Sequence, residues 1–318
     1  MGIITGASYG NGAAEALSYN SKRGWLTGDL VSGFTSGGSP TTLYSLAITS
    51  YAADGDINAV TDSVNGTWAY TYDNLRRLKT ATLNPSGSPS QLTWAYDGWG
   101  NQTSQTITAG TMLWPTDTFT YTVNNQIMQD GYDAAGNMIN DGFHAYTYDD
   151  EGRIISVGSG GTATYVYNAD GLRVHRVGSE GPEDYAYDLA GHAVTTILPG
   201  GGPQRREVYA GSFHVATYDN GTTFFDHTDW QGTERVRSNV SGVSALTCTN
   251  LPYGDNQSCV GPLDPSPQHF TERCGIQRQG WITSVRGITR QAPPGGCCLI
   301  GRQCQKPCHM RTWAIHRV

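Results

Sequence analysis

One short cluster, Tyr-x-Tyr-Asp followed by a tight turn, returns along the 318 residues of this chain. A fixed internal period constrains architecture more than any single residue, because small units that repeat must stack to bury a core. The clearest copies are Tyr146-Thr-Tyr148-Asp149-Asp-Glu-Gly152-Arg153 and Tyr185-Ala-Tyr187-Asp188-Leu-Ala-Gly191-His192. Tyr165-Val-Tyr167-Asn168-Ala-Asp-Gly171 is a third. Shorter copies are Tyr132-Asp133-Ala-Ala-Gly136, Trp94-Ala-Tyr96-Asp97-Gly-Trp-Gly100 and Tyr70-Thr-Tyr72-Asp73-Asn-Leu-Arg76. In five of the six, a glycine falls three residues after the Asp or Asn.

Aromatic residues alternating with small or polar ones read as a strand of period two. Asp-x-x-Gly is turn chemistry: the carboxylate accepts backbone N–H groups ahead of it, and glycine adopts positive φ. A second short strand follows, such as Arg153–Val157, so each unit is a candidate β-hairpin. The tyrosines at 132, 148, 167 and 187 are 16, 19 and 20 residues apart. A lone hairpin is marginal in water, so these units are expected to lie side by side.

Composition supports an all-β chain with many turns: 41 Gly, 18 Tyr and few charged residues. No stretch reads as a long amphipathic helix, and Asn11–Leu17 could make one helical turn at most. Loops are expected at Gly33–Pro40, Asn84–Ser90 and Leu198–Pro203, with the β pattern continuing to about Leu246. The net charge of −7 gives no general attraction to nucleic acid or anionic lipid. No apolar run approaches the roughly 20 residues of a membrane span. The N-terminus has neither the basic start nor the apolar core of a signal peptide. It reads as an entry into the middle of a repeat, with Tyr19-Asn20-Ser-Lys-Arg23-Gly24 a worn copy.

The chain changes character near Thr271. Of 20 basic residues, eight lie in 271–318, against one acidic residue of 27, Glu272. No tyrosine follows that point, and five of the seven cysteines do: Cys274, Cys297, Cys298, Cys304 and Cys308.

The repeated unit resembles that of the RHS/YD-repeat family, close to Tyr-x-Tyr-Asp-x-x-Gly-Arg-Leu. His227-Thr-Asp229-Trp-Gln-Gly232-Thr-Glu-Arg235 is similar to the His-x-Asp-x-x-Gly-Ser-x-Arg segment of that family's associated core. Leu251-Pro-Tyr-Gly-Asp255 and His269-Phe-Thr271 look like the core segments that come next. The resemblance implies an all-β fold of stacked antiparallel hairpin repeats, part of a curved β-shell, with an irregular C-terminal tail. It implies three regions: a hairpin array at 1–195, the N-terminal part of the associated core at 196–271, and a non-homologous tail at 272–318. The repeat anchors would be Tyr72, Asp73, Tyr96, Asp97, Gly100, Tyr132, Asp133, Gly136, Tyr148, Asp149, Gly152, Tyr167, Asn168, Gly171, Tyr187, Asp188 and Gly191. Shells of this kind enclose a C-terminal toxin, so the implied partners are neighbouring repeats of a longer chain or a toxin cargo. The implied location is extracellular or at the cell envelope. A piece of such a wall would leave edge strands unpaired at both ends.

After Thr271 that pattern stops, although Gly-Leu-Asp-Tyr-Phe-Gly-Ala-Arg should follow. Starting each codon at the third base is compatible with it: Trp281 then forces an Asp, and permitted codons let residues 280–289 read Leu-Asp-Asn/Tyr-Phe-Gly-Ala-Arg-Tyr-Tyr-Ala. Residues 272–318 are therefore expected to be translated out of frame and disordered.

Other chemistry competes weakly. Cys304-x-x-x-Cys308-His309 with Cys297-Cys298 offers zinc donors without a paired Cys-x-x-Cys spacing. The basic tail lacks a nuclease-like cluster. One repeat Asp per unit falls short of the six to eight oxygens that calcium takes. Asp226, His227, Asp229 and Glu234 could be drawn as an acid/base group, with turn-shaping as the plainer role of Asp229. The tyrosines could form a carbohydrate-binding surface; packing between hairpins is the plainer reading. No enzyme activity, cofactor or metal is expected.

Overall fold

The computed structural model describes residues 3–112, 114–179, 181–198, 203–262, 268–270 and 273–274. The expectation of a frame-shifted tail falls outside them, apart from the backbone of Arg273–Cys274.

Antiparallel strands follow one another in chain order throughout. A ten-stranded sheet runs from Gly6–Ser8 to Asp117–Thr118, and a twelve-stranded sheet from Tyr146–Tyr148 to Ser258–Val260. Between them Gly131–Tyr132 pairs with Met138–Asn140, and at the end Gln268–Phe270 pairs with Arg273–Cys274. The ribbon hardly breaks between sheets: Phe119 N–H donates to Thr103 O, and bridges join Tyr121 to Ile127 and Asn140 to Ala145. Helical geometry among the described residues is confined to two 3-10 turns, Gly158–Gly160 and Pro252–Gly254. The twelve-stranded sheet crosses residue 195 within the strand Ala193–Ile197.

Many of the strands have one face turned inward. In Gly66–Tyr72, Trp68 and Tyr70 are buried while Thr71 is exposed. In Tyr146–Tyr148, Tyr146 is buried and Thr147 exposed. The main core joins Tyr44, Ile57, Trp68, Leu78, Leu92 and Trp94 to Val236 and Leu251, far away in sequence. Fully burying side chains of this size contributes about 1.5–3 kcal/mol each.

Several expectations are corrected. Asn11–Leu17 is a turn entering the strand Ala14–Tyr19, where apolar and polar residues alternate. The loop at Gly33–Pro40 shrinks to residues 35–39, because Gly33 pairs with Thr41 inside the ladder. The β pattern runs past Leu246 through Ser244–Thr249 and Ser258–Val260.

The later part of the ribbon also returns to its beginning. Asn11 Nδ2 donates to Ser238 Oγ at 2.9 Å and to Asn239 O at 2.7 Å. Phe34 N–H donates to Gly242 O at 2.9 Å. Asn250 N–H reaches Asn65 Oδ1, the Tyr96 and Tyr253 hydroxyls meet at 2.9 Å, and Gln105 Nε2 donates to Asp255 Oδ2. A seam therefore runs across the first sheet from Asn11 to Gln105. Hydrophobic closure drives it: Val236, Trp230, Leu251 and Tyr253 complete the core of the first sheet.

Candidate functional site

The repeat turn is the same object wherever it occurs. Asp149 Oδ1 accepts from Glu151 N and Arg153 N, while Oδ2 accepts from Arg153 Nε at 2.6 Å. The Gly152 N–H closes onto Asp149 O, and Gly152 sits at φ +75. Asp73 makes the same bonds with Leu75 and Arg77, Asp97 with Trp99 and Asn101, and Asp188 with Ala190 and His192. Asp133 holds Asn137 through backbone and side chain, and Asn168 Oδ1 takes the N–H groups of Asp170 and Leu172. The glycines Gly100, Gly136, Gly171 and Gly191 all have φ between +78 and +92. In the copy that lacks glycine, Arg76 adopts φ +63 and pairs with Asp56. These carboxylates belong to turns: hydrogen bonds from the Asn137 side chain and backbone hold the Asp133 pKa below the usual carboxylate range.

The second tyrosine of each unit does something that the sequence pattern does not announce. After every turn the register slips by one residue, a β-bulge that leaves a carbonyl outside the ladder. Tyr72 pairs with Leu78 at such a slip, Tyr148 with Ile154, and Tyr167 with Arg173. The hydroxyl of the next unit's tyrosine donates to that carbonyl. Tyr72 Oη reaches Ile57 O at 2.7 Å, Tyr96 reaches Leu78 O at 2.8 Å, Tyr167 reaches Ile154 O at 2.8 Å and Tyr187 reaches Arg173 O at 2.6 Å. Tyr148 reaches Met138 O, and two tyrosines outside the six copies, Tyr51 and Tyr121, reach Leu26 O and Gln102 O. Tyr132 departs from this pattern, its hydroxyl accepting the Ile127 N–H. The result is a ladder of phenols, each tying one hairpin to the one before it. Burial pushes the Tyr167 hydroxyl up to about 12, so it stays a donor at any ordinary pH.

These rings are buried or half-buried on the inward face. Exposed aromatics lie elsewhere, as at Trp99 and Phe143. A cleft of ≈ 750 Å³ opens between adjacent turns, lined by Asp133, Asp149, Asp150 and Glu151 among others. Two of those acids are already engaged in their turns.

A second constellation lies on Pro203–Ala210, Phe213–Asp219, Thr222–Thr228 and Glu234–Ser238. His214 sits between Glu207 (Nε2–Oε2 2.7 Å) and Asp226 (Nδ1–Oδ2 2.7 Å). Asp226 also holds Arg237 Nε at 2.7 Å, and Arg237 pairs with Glu234, which meets His269 Nδ1 at 2.5 Å. Every strand position in Glu234–Ser238 is buried. Burial works against charge on His214, but Asp226 and Glu207 overcome it and raise its pKa to about 10. His227, bonded to Ser238 Oγ, has no comparable partner, and burial lowers its pKa to about 4. Burial pushes Asp226 upward, yet Arg237 and His214 hold it well below the usual range. Asp229 is a repeat turn residue: its Oδ1 takes the Gln231 and Thr233 N–H groups and its Oδ2 pairs with Arg235.

Of the proposed acid/base group, Asp226 and Glu234 thus share Arg237, while Asp229 belongs to a separate pair. The cluster is enclosed and its charges are matched, which suits it to locking strands together. Sequence reading missed His214, Glu207, Arg237 and His269. The available signal was charge alternating inside strands that turn residues otherwise mark as ordinary hairpins.

No family model matches the sequence, and no curated protein matches it. The fold has counterparts among solved structures. TcdB2-TccC3-Cdc42 matches with a TM-score of 0.67 at 16% identity, over 84% of this chain and 16% of that one. The all-β fold of successive antiparallel hairpins in many-stranded sheets is shared with these toxin chains. TcdB2-TccC3 without its hypervariable C-terminal region gives a TM-score of 0.63 at 16% identity, covering 80% and 15% of the two chains. The Photorhabdus luminescens Tc holotoxin pore gives 0.62 at 18%, covering 78% and 15%. The chain thus spans about a sixth of the length of those proteins.

Proposed function

We propose that this chain is structural, a stretch of wall in a hollow β-shell whose complete form encloses a polypeptide cargo such as a toxin. The phenol ladder carries this reading. Every turn carboxylate in the six copies that could have faced a ligand is committed to its own turn. The inward tyrosines tie one hairpin to the last, which is what a continuous wall requires. The fold shared with Tc toxin chains supports the same role. Catalysis is not part of this reading, because the acid and histidine cluster is enclosed and internally paired. Delivery outside the cell follows from the role.

The test places a photo-reactive side chain in the longer protein, at inward Tyr148 or at outward Thr147. An enclosing wall predicts that the inward position captures another segment of the same polypeptide and the outward one does not. Capture from the outward position alone, or from neither, overturns the proposal.

A further inference from the structure

We infer that the Cys248–Cys259 pair is the oxidised half of a zinc site that His269 extends to three protein ligands. The two cysteines face each other across Ser244–Thr249 and Ser258–Val260, in register and joined by a disulfide. The strand Gln268–Phe270 then brings the His269 Nδ1 to 3.9 Å from Cys248 Sγ. One donor atom from each of Cys248, Cys259 and His269 lies within 4.8 Å of the other two. Glu234 Oε2 stands 2.5 Å from the same Nδ1 but outside that trio, so the fourth zinc position is left to a non-protein ligand.

Zinc takes four ligands in a tetrahedron, with thiolate sulfur at about 2.3 Å and imidazole nitrogen at about 2.0–2.1 Å. Around such an ion a sulfur and a nitrogen stand roughly 3.5 Å apart, so the Sγ–Nδ1 separation is near its bound value. The sulfurs must part, which breaking their bond allows. Cys248, His269 and Glu234 are each 2% exposed, and in a dry pocket thiolates need a cation. Two thiolates around a divalent ion leave no net charge, so the site needs no further counter-ion.

The chemistry balances with a dithiol as reductant. It delivers two electrons, the S–S bond breaks, two thiols form and the reductant becomes a disulfide. Zinc binding then releases the two thiol protons. In oxidising surroundings the pair is a staple; in a reducing compartment the two cysteines with His269 become a metal clip.

The test uses the full chain with Cys274, Cys297, Cys298, Cys304 and Cys308 replaced by Ser, so that only this pair contributes thiols. Cobalt(II) is the probe. The reduced chain should bind one ion with strong thiolate-to-cobalt absorption that zinc abolishes, and the oxidised chain should bind none. Cys259→Ser, at the less buried sulfur, should weaken binding at least about tenfold, as disturbing a metal's surroundings commonly does. Reduced chain without cobalt absorption, equal uptake by the oxidised chain, or undiminished binding in Cys259→Ser would each overturn the inference. So would loss of β-sheet circular dichroism on reduction, since the clip exists only in the folded seam.

Discussion

Replacing the ladder tyrosines by phenylalanine removes one hydroxyl each and leaves the rings in place. Tyr72, Tyr167 and Tyr187 suit this, because their hydroxyls bond to Ile57, Ile154 and Arg173. A hydrogen bond of this kind contributes about 0.5–1.5 kcal/mol net. The bulge carbonyl left behind keeps no ladder partner, which favours the upper half of that range. Each single variant should therefore lower stability by about 1 kcal/mol. Tyr72 is remote from the other two, so its effect should add to either of them. Tyr167 and Tyr187 act at the two ends of the unit that contains Arg173, so that pair should show coupling. The triple variant should lose about 3 kcal/mol, read as a lower urea midpoint with an unchanged slope, since the surface exposed on unfolding is the same. A triple variant that unfolds at the parent midpoint would refute the ladder as a tie between hairpins. A changed slope would instead mean that the denatured state or two-state behaviour had been altered.

Three further outcomes are expected. A Cβ at Gly33 would stand 2.4 Å from Gly242 O and 2.5 Å from a Leu43 methyl, so Gly33→Ala should open the seam and raise hydrogen exchange at the Phe34 amide, which donates to Gly242 O. Gly152→Ala forces an alanine to φ +75 and should cost about 1–2 kcal/mol, measured by thermal melting; an unaffected melt would mean the turn relaxes. The buried histidines set opposite pH limbs. His214, raised to about 10, contributes fully below pH 6.5 and loses its contribution as pH rises through 10. His227, lowered to about 4, contributes above pH 6.5 and loses its share as pH falls through 4. Stability should peak near the unperturbed value, and His214→Asn should flatten only the alkaline limb.

The hairpins were legible because their chemistry is local. Asp149 and Gly152 lie three residues apart, and Tyr146, Thr147 and Tyr148 declare their faces by alternation. Even Arg76, standing where a glycine is expected, kept the turn, because Asp54 and Asp56 hold its guanidinium. The rung bonds were not legible, since a phenol gives no sign of whether it meets water or the previous bulge. The seam was further out of reach: Asn11 and Ser238 are 227 residues apart, and neither is unusual in its own neighbourhood. The ion cluster failed to show for a related reason. His214 and Arg237 look like surface residues until Glu207, Asp226 and Glu234 on neighbouring positions of the sheet meet them. The disulfide was hidden because only the pairing of Ser244–Thr249 with Ser258–Val260 sets Cys248 opposite Cys259.

Strand order that copies chain order has a consequence for how such a protein is made. Each ribbon needs only the one synthesised just before it, so the sheet can set progressively as the polypeptide emerges from a ribosome or a secretion channel. Whole units can also be duplicated or lost without rethreading anything. The stitches from Asn11 to Gln105 are the exception, for they must wait until residues 235–255 exist.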